Sequence, residues 1–128
     1  MENTEDTQQH ARRPGHERGR KDAESSPHAV SARDVDEAAQ RLSHVARLTA
    51  VDEIDRLTEA AGVRVLVKRE DQQVVRSFKL RGAYNRMAQL SESERQAGVV
   101  CASAGNHAQG VAMACAQLGI HGTIFLPS

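Results

Sequence analysis

The chain has 128 residues, about the length of one ordinary domain, and its 17 Lys and Arg balance 17 Asp and Glu. Cancelled charge offers no global field for nucleic acid or an anionic membrane, and an aromatic content of 2% leaves no base-stacking platform. No apolar run reaches membrane-spanning length, and no hydrophobic stretch follows the first charges as a secretory signal requires.

Residues 1–34 read as a disordered tail. Apart from Met1 and Val30 they contain no large apolar residue, so burial cannot offset the entropy of ordering them. His10, His16 and His28 are irregularly spaced there and read as solvated side chains rather than metal ligands. Glu2, Glu5, Asp6, Glu17, Asp22 and Glu24 argue against a mitochondrial-type presequence, which is poor in acid.

Order is expected to begin near Ser31. Ser31 and Asp34 have the spacing of a capping box, and Val35, Ala38, Ala39, Leu42, Val45 and Ala46 recur at helical period. They predict an amphipathic helix to about Leu48. A second helix is expected over Asp52 to Ala61, with Ile54 and Leu57 inward and Gly62 as its stop. The β-branched run from Val63 to Lys68 reads as a strand, followed by a polar link from Arg69 to Gln73.

Ser77 is placed to cap a helix whose inner face is Leu80, Ala83, Tyr84, Met87 and Leu90. Ser91 and Glu94 form another capping box, opening a short helix that Gly98 ends. Val99 to Ala102 reads as a short buried strand. A small-residue loop, Ser103 to Gly105, then feeds a helix from Asn106 to Leu118, stopped by Gly119. Thr123 to Leu126 is the next strand. This alternation predicts an α/β fold with parallel pairing and right-handed crossovers. The last strand, with little sequence after it, is expected at a sheet edge. Cys101 and Cys115 lack metal-ligand spacing and read as buried thiols of a reducing, cytoplasmic compartment.

Two segments point to chemistry. The loop from Ser103 to Asn106 joins a strand to a helix, where backbone N–H groups lack internal partners and the helix dipole favours an anion. Ala102, Ala104 and Gly105 allow a carboxylate or phosphate to approach the backbone, while Ser103 and Asn106 add hydrogen bonds. By itself the loop is equally an ordinary tight turn with Asn106 as the cap.

Lys79 is the second element. Alone it reads as one more solvated lysine. Phe78 beside it, and Gly82 one turn later on nearly the same face, suggest close packing, because glycine inside a helix costs about 1 kcal/mol relative to alanine. A tethered amine near an anion-receiving loop is the minimum set for Schiff-base chemistry on an amino acid. His107 reads as a packed residue of the first helical turn sooner than as a general base, and Glu70 and Asp71 read as structural ion-pair partners.

Lys68-Arg69-Glu70-Asp71, Ser77-Phe78-Lys79-Leu80-Arg81-Gly82-Ala83-Tyr84-Asn85 and Ala102-Ser103-Ala104-Gly105-Asn106-His107-Ala108-Gln109-Gly110, in this order and spacing, resemble the threonine dehydratase (threonine ammonia-lyase) family. The resemblance runs from about Val35 to Ser128 and implies the pyridoxal-phosphate fold of the tryptophan synthase β type, here as a partial parallel-sheet sandwich. It implies that Lys79 forms the internal aldimine with pyridoxal 5'-phosphate and later takes the substrate Cα proton. It further implies that Phe78 packs near the cofactor and Asn106 lies beside its phenolic oxygen. Ser103, Ala104, Gly105, Asn106 and His107 correspond to the loop receiving the substrate carboxylate.

The implied reaction converts L-threonine to 2-oxobutanoate and ammonia, in isoleucine biosynthesis or threonine catabolism, by a homo-oligomer when full length. No metal, nucleic acid or membrane partner is implied. Gln72 and Val74 stand where the family often has leucine and proline, and Thr49-Ala50 where a threonine-proline pair is common. The family's glycine-rich phosphate cup and its partner for the pyridine nitrogen lie well downstream. Residues 35–128 are therefore expected to be the N-terminal part of a catalytic domain, inactive alone and binding the cofactor weakly or not at all. The alternatives are a serine/threonine dehydratase or serine racemase of the same superfamily, a non-catalytic partner-binding remnant, and an anion-binding module with no covalent step.

Overall fold

The computed structural model describes residues 29–127. Most of the expected tail, with His10, His16 and His28, lies outside the described residues. Helix α1 spans Ala32–Leu42 and opens as the capping box predicts: Ser31 Oγ accepts from the Asp34 N–H at 3.3 Å, and Asp34 Oδ2 accepts from the Ser31 N–H at 2.8 Å. It stops six residues short of Leu48. The reason is tertiary: the Gln73 side chain takes both backbone groups of Arg47, accepting from its N–H at 3.0 Å and donating to its carbonyl at 2.9 Å. Gln73 is 1% exposed, so the link expected to be merely polar contains a buried staple.

The segment expected to open the second helix is instead a strand, β1 (Val51–Glu53). It pairs antiparallel with β2 (Leu66–Lys68), Val51 facing Lys68 and Glu53 facing Leu66. Parallel pairing was expected throughout; here a short helix, α2 (Asp55–Ala61), returns the chain directly beside its start. Cross-strand partners decide the state of so short a segment, not its own propensity. Gly62 ends α2 in the left-handed conformation (φ 66°), as predicted, but Leu57 is exposed rather than inward.

Helix α3 spans Lys79–Met87, α4 Glu92–Ala97 and α5 Asn106–Leu118. Strands β3 (Val99–Ala102) and β4 (Gly122–Phe125) pair in parallel, Val99 beside Gly122 and Ala102 beside Phe125. This βαβ unit is the one the alternation predicts. The inner strand face, Val99 and Cys101, packs on the core. Val100 is 71% exposed, so β3 is covered on one face only.

The core lies around α3. Leu80, Ala83, Tyr84 and Met87 meet Leu42 and Val45 on one side and Val111, Ala114 and Ile120 on the other; Leu80 and Ala114 are fully buried. The buried Tyr84 hydroxyl is 3.0 Å from His44 Nε2. Cys101 and Cys115 are half-buried free thiols, and burial, then the neighbouring Cys101, pushes the Cys115 thiol up. No helix among the described residues is long and apolar enough to cross a membrane.

Candidate active site

Lys79 is the first residue of α3, and Phe78 is its N-cap. Ser77 does not cap the helix. Its Oγ is buried and has no hydrogen-bond partner among the described residues, because Phe78 has already turned to helical backbone (φ −71°, ψ −10°). The chain reaches this point through Arg76, the one non-glycine in the left-handed region among the described residues (φ 58°). Lys79 is exposed, and its Nζ lies 5.1 Å from the centroid of the Phe78 ring, itself open to solvent. None of the ion pairs among the described residues engages Lys79.

An ion-paired hub holds the same turn from another side. Arg81 donates through Nε and Nη2 to the two Glu70 oxygens, each at 2.8 Å. Glu70 also accepts from Thr49 Oγ1 at 3.1 Å, and Lys68 Nζ donates to Thr49 Oγ1 at 2.8 Å. The Arg81 guanidinium, with Thr49 and Gln73, holds the Glu70 carboxyl down at about 2. Arg69 bridges Asp71 and Asp52, both at 2.8 Å. The structural reading of Glu70 and Asp71 thus agrees with the geometry.

The loop from Ser103 to Gly105 leaves β3 and enters α5 with Gly105, not Asn106, as the N-cap, and without a side-chain cap. Ser103 Oγ accepts from the Gly105 N–H at 3.3 Å, bending the loop on itself. The first N–H groups of α5 are therefore left for an outside acceptor. Ala102, Ser103 and Ala104 border an open depression with Phe125, Leu126 and Pro127. It lies at the carboxyl ends of two parallel strands, where α/β sheets receive ligands. His107 is exposed rather than packed as expected, and it borders a mainly apolar cavity of about 270 Å³ with Gly82, Met87, Cys101 and Val111.

Helices α3 and α5 form the most extensive contact between elements. Their crossing seats the backbone that carries Lys79 on the helix that the loop enters. Gly110 lies four residues after Asn106, about 6 Å along the axis. A Cβ at Gly110 would meet the Lys79 carbonyl carbon and oxygen at 3.0 Å and the Leu80 nitrogen at 3.1 Å. Around Gly82 no atom of the described residues lies within 4 Å of such an atom. The close approach expected at Gly82 occurs at Gly110 instead, because α5 crosses α3 at its first turn and Gly82 faces outward. The glycine inside α5 was the available signal in the sequence.

The family described as pyridoxal-phosphate dependent enzyme matches residues 42–128. The chain is 56% identical over 99 residues to the biosynthetic L-threonine dehydratase of Mycobacterium leprae, covering 77% of this chain and 23% of that protein. It is 54% identical over 99 residues to the Bacillus subtilis protein of the same name, covering 77% and 24%. The chain thus spans about a quarter of the length of the curated relatives it matches. Among solved structures it is similar to the processed form of threonine deaminase isoform 2 from Solanum lycopersicum (TM-score 0.62, 39% identity, 80% of this chain and 30% of that one). It is also similar to maize serine racemase (TM-score 0.71, 32% identity, 77% and 31%).

Proposed function

We propose, for a chain that belongs to the pyridoxal-phosphate dependent enzyme family, that it carries the amine-bearing and carboxylate-receiving part of a lyase acting on L-threonine. The observation that carries this reading is the packing of the backbone bearing Lys79, an exposed amine with no ion pair among the described residues, against α5, the helix whose N-terminus has no side-chain cap. The names of the curated relatives supply L-threonine as the substrate and a biosynthetic role, which the family resemblance specifies as isoleucine biosynthesis; the two free thiols favour the cytoplasm as the place.

The residues present fit pyridoxal 5'-phosphate. Lys79 Nζ would hold its aldehyde carbon, the exposed Phe78 ring would pack near it, and Asn106 would face its phenolic oxygen. When bound, the cofactor supplies an electron sink for the pair released as the substrate Cα–H bond breaks. Lys79 Nζ would take that proton. The α5 N-terminal N–H groups of Asn106 and His107 and the Ser103 hydroxyl hold the carboxylate, and Ala104 and Gly105 keep the approach to the backbone open. Loss of the β-hydroxyl as water, followed by hydrolysis, gives 2-oxobutanoate and ammonia. The likeness to serine racemase supports a second reading, in which serine is the substrate.

The test is borohydride reduction, in the presence of pyridoxal phosphate, of the protein carrying this sequence together with the cofactor-phosphate site, with peptide mapping of the modified lysine. Capture on Lys79, lost in Lys79→Ala, is expected. Equal labelling of Lys68 and Lys79 would sink the assignment and favour a binding module without a covalent step. Release of 2-oxobutanoate from threonine, against pyruvate from serine, by the protein carrying this sequence separates the two substrates.

A further inference from the structure

We infer that Gly110 is a positioning residue for Lys79: the missing side chain lets α5 seat directly on the backbone that carries the amine. The inference rests on the function proposed above for Lys79. Gly110 is buried inside a 13-residue helix, where glycine is disfavoured relative to alanine. The atoms it spares are the carbonyl carbon and oxygen of Lys79 and the nitrogen of Leu80, at 3.0, 3.0 and 3.1 Å from a Cβ in that place. They are backbone atoms and cannot rotate aside. A methyl group there displaces the first turn of α3 by a few tenths of an ångström.

That turn has little freedom to retreat. Arg81, about 200° around the helix from Lys79, is tied to Glu70 by two bonds of 2.8 Å, and Leu80 is fully buried. A displacement therefore changes where the Lys79 side chain begins. Gly110 and Asn106 are also four residues apart on one helical face. The residue that sets the height of the amine thus belongs to the same rigid helix as the anion-receiving loop, and one contact fixes the spacing of the two groups.

The experiment compares the cofactor-binding protein that carries this sequence with its Gly110→Ala and Ala112→Gly variants, Ala112 being an exposed α5 position. The readouts are the ratio of borohydride-trapped pyridoxal phosphate on Lys79 to that on Lys68, and the backbone amide signals of Lys79 and Leu80 by NMR. Gly110→Ala is expected to lower the ratio about tenfold and to move both amide signals, since misplacement of a reacting group by a fraction of an ångström is costly. Ala112→Gly is expected to lower the melting temperature and leave the ratio and both signals in place. An unchanged ratio in folded Gly110→Ala overturns the inference.

If the wild-type cofactor-binding protein shows no preference for Lys79, the proposed function fails. Gly110 is then decided by the Leu80 amide alone, moved in Gly110→Ala in support and unmoved against. If Gly110→Ala does not fold, amide exchange in the wild type decides. The Leu80 N–H, without an acceptor inside its helix, exchanges more slowly than that of exposed His107 when α5 covers it, and equally fast exchange overturns the inference.

Discussion

Replacing Glu70 by glutamine tests whether the ion-paired hub, rather than the small core alone, holds the first turn of α3. Glu70 accepts two bonds from Arg81 at 2.8 Å and one from Thr49 at 3.1 Å, and is 17% exposed. Its carboxyl titrates at about 2 instead of 4.5, a difference corresponding to about 3 kcal/mol of stability at neutral pH. Arg81 is 36% exposed, so water compensates part of the loss, and Glu70→Gln is expected to cost about 2 kcal/mol at pH 7.

The sign follows from the lowered value. The contribution is complete above the unfolded carboxyl's 4.5 and disappears as pH falls towards about 2. Urea unfolding followed by circular dichroism at pH 7 and at about pH 3 measures it. At the lower pH about two fifths of the difference between wild type and variant is expected to remain. A gap that is the same at both pH values would refute the electrostatic reasoning, and one below about 0.5 kcal/mol at pH 7 would show the hub to be ornamental.

Gln73→Ala and Gln73→Leu should both destabilise by about 2 kcal/mol in urea melts, because each leaves the Arg47 N–H and carbonyl without their partner. If Leu, which restores volume, also restored stability, packing and not hydrogen bonding would be the cause. Arg76 has φ 58°, so Arg76→Val should cost about 1–2 kcal/mol while Arg76→Asn is close to neutral, read in the same melts. Equal effects of valine and asparagine would remove backbone strain as the explanation.

Elements whose signals are local were legible in the sequence. The two capping boxes at Ser31 and Ser91 formed as spaced, and Gly62 and Gly119 took the left-handed stop with φ of 66° and 65°. Strand β3 ran from Val99 to Ala102 as read. Each depends on residues within a few positions of one another, so the chain itself contains the cause. The three motifs also named the family, because side-chain chemistry at fixed spacing is written directly in the sequence.

What only the tertiary structure decided depends on partners distant in the chain. Asp52 and Glu53 became a strand because Val67 and Leu66 paired with them. The first helix ended early because Gln73 claimed Arg47, and Ser77 was left with an unpaired hydroxyl instead of a cap. Above all, the sequence placed the close approach at Gly82, inside the lysine motif, whereas the fold placed it at Gly110, where α5 crosses the backbone of Lys79. Residue types determined which groups this protein holds ready; the crossing of two helices, a contact between residues 79 and 110, determined where those groups stand.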